Sequence, residues 1–141
     1  RHVCEDTLAW WKKQSDGAKE SLTGGTLSLN EALAHLSDFV VRARARDKSQ
    51  KLCVWGNDPD FDMVILADCF RDSKTILCPW QFWESRSTRT MKMLAQDLLG
   101  INHKKHYTRN GTYHNAEDDA IYQAKMVADI LARLHVAVSD K

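Results

Sequence analysis

The fold is decided by residues 52–62, which read LCVWGNDPDFD. The apolar run at 52–55 follows a polar stretch and predicts a short buried strand, which the turn-forming residues 56–59 end. Working outward from it, apolar residues at helical spacing predict a helix over residues 61–70. A second apolar run, residues 75–78, predicts a second strand.

The segments on either side of this unit have helical patterns. A first helix is predicted to start at residues 6–7 and to end near residues 14–17. Ser28 and Glu31 form a capping box, which predicts a helix from there to about residue 46. Further helices are expected from about residue 90 to 99 and from 114–115 to 134. Strand–helix–strand–helix order predicts an α/β fold with parallel strands.

Composition excludes several classes of protein. The 141 residues indicate one domain, and 43% hydrophobic residues with only two prolines exclude a disordered or collagen-like chain. No apolar run approaches the ~20 residues that a membrane-spanning helix needs, so we expect no membrane partner. The four cysteines have no CxxC spacing, which favours reduced thiols over a zinc or redox site and therefore a cytoplasmic location.

Three acids, Asp58, Asp60 and Asp62, follow the first predicted strand. Ligands of open α/β sheets bind beyond the carboxyl ends of strands, and a divalent cation relieves the repulsion between clustered carboxylates. Asp, Asn and Pro are also ordinary turn residues. Taken alone, this stretch fits a metal site and a solvated turn equally well.

A second cluster of titratable residues opens the last predicted helix, where His114 precedes Glu117, Asp118 and Asp119. Acids in a first helical turn are favoured by the helix dipole, so they need no other explanation. The dipole does not account for the histidine. An imidazole titrates near neutral pH and is suited to general-base work, so the cluster is also a candidate catalytic site.

Basic and aromatic residues are concentrated between these two acidic stretches. Residues 85–110 contain six Lys or Arg and one acid, although the whole chain carries a net charge of +1. Such a local excess suggests a polyanionic ligand guided to the acidic stretches, with a solvated surface as the alternative. The stretch 79–83, PWQFW, could stack on nucleobases or belong to the core.

Together these motifs resemble the DEDDh 3′→5′ exonucleases of the DnaQ-like superfamily, in the branch found in phages, prophages and some mycobacteria. Residues 6–15, 55–66, 79–90 and 114–124 carry the resemblance, in that order. It implies a ribonuclease-H-like α/β fold, with a mixed sheet flanked by helices. In that family four acids hold two Mg²⁺ or Mn²⁺ ions, and a histidine activates the attacking water.

The resemblance assigns roles to particular residues. Asp62, of the Phe-Asp pair, and Asp119, of the His-x4-Asp motif, look like metal ligands, and His114 looks like the general base. The implied substrate is single-stranded or 3′-overhanging nucleic acid, with DNA or RNA left open, and a homodimer is compatible with the family. Substrate contacts are expected from Asn57, near the terminal nucleotide, and from the basic residues Arg86, Arg89, Lys104, Lys105 and Arg109.

One departure from the family pattern is large. The family's first motif is Asp-x-Glu on the first strand, and this sequence contains no Asp-x-Glu. We therefore expect residues 1–141 to form a single exonuclease domain that is N-terminally incomplete, lacks the first three strands and is inactive on its own. The alternative is a non-catalytic nucleic-acid-binding or scaffold domain with the same fold that has lost the first metal-binding motif.

Overall fold

The computed structural model describes residues 3–46 and 51–139, in which helices outnumber strands. The strands are β1 (Val54–Gly56) and β2 (Ser85–Ser87). A π-helical turn, Pro59–Met63, follows β1, and a 3₁₀ turn, Phe82–Glu84, precedes β2. No helix in these ranges is both long and apolar enough to cross a membrane. The helices are α1 (Glu5–Lys12), α2 (Asp16–Thr23), α3 (Leu29–Arg46), α4 (Val64–Ser73), α5 (Thr88–Leu99), α6 (His103–His106) and α7 (Ala116–Ser139).

The two strands form a small parallel sheet, which confirms the predicted mixed α/β architecture with parallel strands. Val54 pairs with Ser85 and Gly56 pairs with Ser87. The chain crosses from one strand to the next through α4. Within the described residues β2 is the only partner of β1, so the other edge of β1 is open.

The strand predicted at residues 75–78 is wrong, because this segment is a connector and the second strand lies at residues 85–87. The Ser73 hydroxyl accepts a hydrogen bond from Ile76 N at 3.2 Å and lies 3.2 Å from Ile76 O. A side chain thus satisfies backbone groups that a neighbouring strand would otherwise bind. Ile76 and Cys78 pack against the core, whereas Leu77 is 89% exposed. Residues 75–78 are therefore apolar because two of their side chains pack against the core from a connecting segment, and not because they form a strand.

Two hydrophobic clusters lie on opposite sides of β1. One joins α3, α4 and Trp80, and Val54 packs against it. The other joins α5 and α7, and Trp55 packs against it. Because successive residues of a strand face opposite ways, β1 is held between two helical layers. The clusters are built around Leu33, Val40, Met63, Cys69, Phe70 and Trp80, and around Met91, Ala95, Met126, Val127 and Ile130.

Most predicted helices are present, with one difference at the N-terminal end. The capping box before α3 is formed, since Ser28 N donates to Glu31 at 2.8 Å and Glu31 N donates to Ser28 Oγ at 3.3 Å. The helix predicted from residues 6–7 to 14–17 is α1, and α2, which follows it, was not predicted. Ser15 Oγ accepts from Ala18 N at 3.3 Å and starts α2. The structure has all four cysteines as thiols.

The Arg44–Glu84 ion pair ties α3 to the turn that leads into β2. Two guanidinium nitrogens of Arg44 donate to the two carboxylate oxygens of Glu84, each at 2.9 Å. Gln81 N donates to the same carboxylate at 2.7 Å. These bonds hold the pKa of buried Glu84 below its ordinary value, and those from Arg44 have the largest effect. The pair therefore fixes where β2 begins relative to α3.

Glu84→Gln is expected to lower the melting temperature at pH 7 by roughly 3–6 °C, because it removes a charge-assisted hydrogen-bond pair. Folding lowers the pKa of Glu84, so the carboxylate stabilises the fold above the ordinary value of 4.5. That contribution is lost as the pH falls through the lower folded-state value. Thermal melts between pH 3 and 7 should therefore converge for variant and wild type at the acidic end. Glu20→Gln, on the exposed side of α2, is the matched control. A constant difference at all pH values would contradict this account.

Candidate functional site

An open cleft of about 1350 Å³ lies beyond the carboxyl end of β1, between that strand and helices α3, α4 and α7. Its walls are largely apolar. The polar side chains among its lining residues are gathered near the end of β1 and the start of α7. They are Asn57, Asp58, Asp62, Arg89, Asp119 and Gln123. The structure thus brings both predicted metal ligands and two predicted substrate contacts to one place.

Asp62 reaches this cleft because the chain turns back immediately after β1. Its Oδ2 accepts a hydrogen bond from Asp58 N at 3.1 Å. A Cβ atom placed on Gly56 would lie 3.0 Å from Asp62 Oδ2 and 3.1 Å from Asp62 Cβ. Glycine at the end of β1 therefore provides the space that the carboxylate occupies.

Asp119 lies in the first turn of α7, and a capping residue sets where that turn begins. Asn115 Oδ1 accepts from Glu117 N at 3.0 Å and from Asp118 N at 3.1 Å. The neighbouring Asp118 binds the backbone of the preceding loop, since its Oδ2 accepts from Thr112 N at 2.8 Å. Of these two neighbouring acids, Asp118 thus binds a backbone N–H group and Asp119 lines the cleft.

Asp119 forms an ion pair with Arg109, a residue predicted to contact substrate. The guanidinium lies over the Tyr113 ring at 4.3 Å and near the Tyr122 ring at 5.4 Å. Its Nε is buried and has no hydrogen-bond partner within residues 3–46 and 51–139. A positive group therefore already faces the Asp119 carboxylate, and a metal ion at this position would have to displace it.

The donor atoms suit a divalent cation in kind but not in number. Carboxylate oxygens are the ligands that Mg²⁺ and Mn²⁺ prefer, and Asp62 and Asp119 line the same cleft. In the part of the chain that the structure describes, no three His, Cys, Asp or Glu side chains converge to hold a metal. The two carboxylates by themselves do not complete a two-metal site.

His114, the predicted general base, is exposed and is not among the residues that line the cleft. Its backbone is left-handed, with φ of 66°, in the turn before α7. The imidazole stacks edge-on against Trp10, with ring centroids 4.8 Å apart, and Trp11 is 6.4 Å away. Neither tryptophan is buried, and both rings lie against the turn before α7.

The other predicted substrate contacts are divided over the surface. Arg89 lines the cleft and pairs with Asp58 at 3.3 Å. Arg86 is turned toward the start of β2, where it donates to Trp83 O at 2.6 Å. Lys104 and Lys105 are exposed on α6.

The aromatic stretch at residues 79–83 is divided in the same way. Trp80 belongs to the core, where its ring packs edge-on against Phe70. Phe82 and Trp83 are exposed and pack against each other, with ring centroids 4.8 Å apart. One of the three aromatic side chains thus belongs to the core, and the other two remain accessible for stacking on nucleobases.

Sequence reasoning missed a hydrogen-bond network behind Asn57. Thr88 Oγ1 donates to Asn57 Oδ1 at 3.2 Å and lies 3.4 Å from Gln123 Oε1. Lys92 Nζ donates to the same Asn57 oxygen at 3.2 Å. Thr88 directly follows β2, and parallel strands end at the same edge of a sheet. A correct position for β2 would have placed Thr88 beside Asn57.

A family model described as the 3′-5′ exoribonuclease Rv2179c-like domain matches residues 2–131. The chain belongs to this family. The match covers nearly the whole chain and confirms the resemblance to DnaQ-like 3′→5′ exonucleases of the mycobacterial type. It does not favour the alternative of a non-catalytic scaffold. No curated protein and no solved structure matches the chain.

Gly56→Ala is expected to lower the free energy of unfolding by about 1–3 kcal/mol, because the new methyl group displaces the Asp62 carboxylate and Met63. Urea denaturation measures the loss. Gly25→Ala is the matched control, since nothing lies within 4 Å of a Cβ there, and its effect should stay within about 0.5 kcal/mol. Equal stability of the two variants would show that Asp62 is not held against Gly56.

Proposed function

We propose that this chain carries the catalytic cleft of a metal-dependent 3′→5′ exonuclease, which releases nucleotides from the 3′ end of a single strand or overhang. The observation that carries the proposal is the convergence of Asp62 and Asp119 in one cleft. They come from distant segments of a chain that belongs to a 3′-5′ exoribonuclease-like family. The Arg109 guanidinium faces one of these carboxylates, and β1, whose end lines the cleft, has one unpaired edge within the described residues.

We propose RNA as the substrate, because the family description names an exoribonuclease. Arg89 lies in the cleft and Arg109 beside Asp119, so both can bind the phosphates of a strand whose 3′ end enters there. Lys104 and Lys105, exposed on α6, extend the positive surface beyond the cleft.

We further propose that the active protein adds a strand to the open edge of β1, and that this strand supplies the Asp-x-Glu carboxylates. Two observations support this. Within the described ranges β1 pairs on one edge only. The cleft beside it is lined by Phe39 and Phe61, which remain 64% and 66% exposed, and by Ile121 and Leu131 of α7. Residues 1–141 would then be one exonuclease domain that needs the added strand for activity.

In this proposal Asp62 and Asp119 hold two Mg²⁺ or Mn²⁺ ions together with the added carboxylates. When bound, such ions make water a stronger nucleophile and stabilise charge on the leaving 3′ oxygen. Asp119 gives up its ion pair with Arg109, which leaves the guanidinium available for a substrate phosphate. His114 accepts the proton of the attacking water. Because its imidazole packs against Trp10 and does not line the cleft, the proposal requires it to turn from that ring toward the water.

Full-length protein with Mn²⁺ is expected to shorten a 5′-labelled single-stranded oligoribonucleotide stepwise from its 3′ end and to release mononucleotides. EDTA should abolish the reaction. Asp62→Asn, Asp119→Asn and His114→Ala should each lower kcat by about 100-fold or more, because each removes a ligand or the base. Gel and chromatographic assays of products measure these rates.

Asp97→Asn and His135→Ala are the matched controls, since both residues are exposed and lie outside the cleft. They should retain the wild-type rate. If His114→Ala and Asp119→Ala also retain it, or if cleavage occurs inside the strand, the assignment is wrong.

A further inference from the structure

Lys92, on α5, is a half-buried cation with an unusual partner. Within the described ranges its ammonium pairs with no carboxylate, and it donates to the neutral amide oxygen of Asn57 at 3.2 Å. Burial, and secondarily the charge of Arg89, lower the pKa of Lys92. Partial withdrawal of a cation from water without a counter-charge is unfavourable, and the hydrogen bond to Asn57 offsets part of this cost.

The Asn57 amide is held from one side only. Its Oδ1 accepts from Lys92 Nζ and from the hydroxyl of Thr88, a fully buried residue. These two donors determine which end of the amide faces the protein, since only the oxygen can accept them. Among residues 3–46 and 51–139 no acceptor meets Asn57 Nδ2, and Asn57 lines the cleft. The N–H₂ group is therefore left to donate into the cleft.

Lys92 itself is not among the residues that line the cleft. Its ammonium stands behind Asn57, so it reaches the cleft through the amide. A charged donor on the oxygen also polarises the amide and strengthens its N–H groups as donors. The arrangement fixes and activates one hydrogen-bond donor near the predicted metal ligands.

We propose that Lys92 is a positioning residue for substrate. Through Asn57 Oδ1 it orients the amide N–H₂ group, which donates to an oxygen acceptor of the 3′-terminal nucleotide. The inference rests on the proposed exonuclease function. An amide held in place before the substrate arrives costs less to order on binding, so Lys92 acts on substrate affinity.

The test is a double-mutant cycle on the full-length protein with single-stranded oligoribonucleotide and Mn²⁺. Lys92→Met and Asn57→Ala should each raise KM about five- to tenfold, with kcat within about twofold. The double variant should be no worse than either single one, because both changes remove the same interaction. Lys92→Arg, which keeps a charged donor, should restore most of the affinity. Lys125→Met, on the exposed side of α7, is the matched control and should match wild type.

A 2′-deoxy terminal nucleotide identifies the acceptor. If the ribose 2′-oxygen accepts from Asn57, the deoxy substrate removes the difference between wild type and Lys92→Met. If a base or phosphate oxygen accepts, the difference persists. Either result supports the positioning role, provided that the cycle is non-additive.

Other outcomes overturn the proposal. If the KM increases of the two single variants multiply in the double variant, Lys92 acts independently of Asn57 and contacts the substrate itself. A lower melting temperature with unchanged KM would show a structural role, and Lys92→Gln, a neutral donor of smaller size, provides a second variant if Lys92→Met folds poorly. An inactive wild-type protein would instead overturn the exonuclease function, and this is seen before any variant is compared.

Discussion

The close approach of the Asp62 carboxylate to Gly56 constrains the rest of the site. No side chain larger than hydrogen fits at residue 56 unless the carboxylate moves. The contact brings the chain back over the end of β1 within a single turn, where Asp58 N donates to Asp62. The same turn leads into α4, whose buried residues anchor the crossover to β2.

The position of β2 then determines what faces the end of β1. Ser87 pairs with Gly56, so the residue that follows, Thr88, lies behind Asn57. The Arg44–Glu84 pair holds the segment before β2 against α3 and keeps this register. On the other side Trp55 packs against the cluster of α5 and α7, which carries Asp119 toward the cleft. Stability and site geometry therefore depend on the same few contacts.

The sequence predicted the features that local chemistry determines. The capping box before α3 involves residues three apart, and the parallel topology follows from the order of elements. The family motifs singled out Asp62 and Asp119, which line the same cleft, and their role as metal ligands stays a prediction. The segment at residues 75–78 was misread because its apolar side chains pack as a connector and Ser73 binds its backbone.

Other features depend on contacts between distant segments, which no local pattern encodes. Trp10 packs against His114, a residue that is distant from it in the sequence. The ion pair of Arg109 with Asp119 joins a loop to the start of α7. The local excess of basic residues in the sequence predicted only a substrate contact for this arginine. Lys92 was visible in the sequence only as one of six basic residues, because its partner, Asn57, lies on another element.

The central claim is that Asp62 and Asp119 belong to one metal site. Anomalous diffraction from crystals of the full-length protein grown with Mn²⁺ and a mononucleotide tests it most directly. The account predicts two anomalous peaks about 3.5–4 Å apart in the cleft, with oxygen atoms of Asp62 and Asp119 among the ligands and Arg109 turned away from Asp119. Absence of Mn²⁺ from both carboxylates, with the Arg109–Asp119 pair intact, would contradict it.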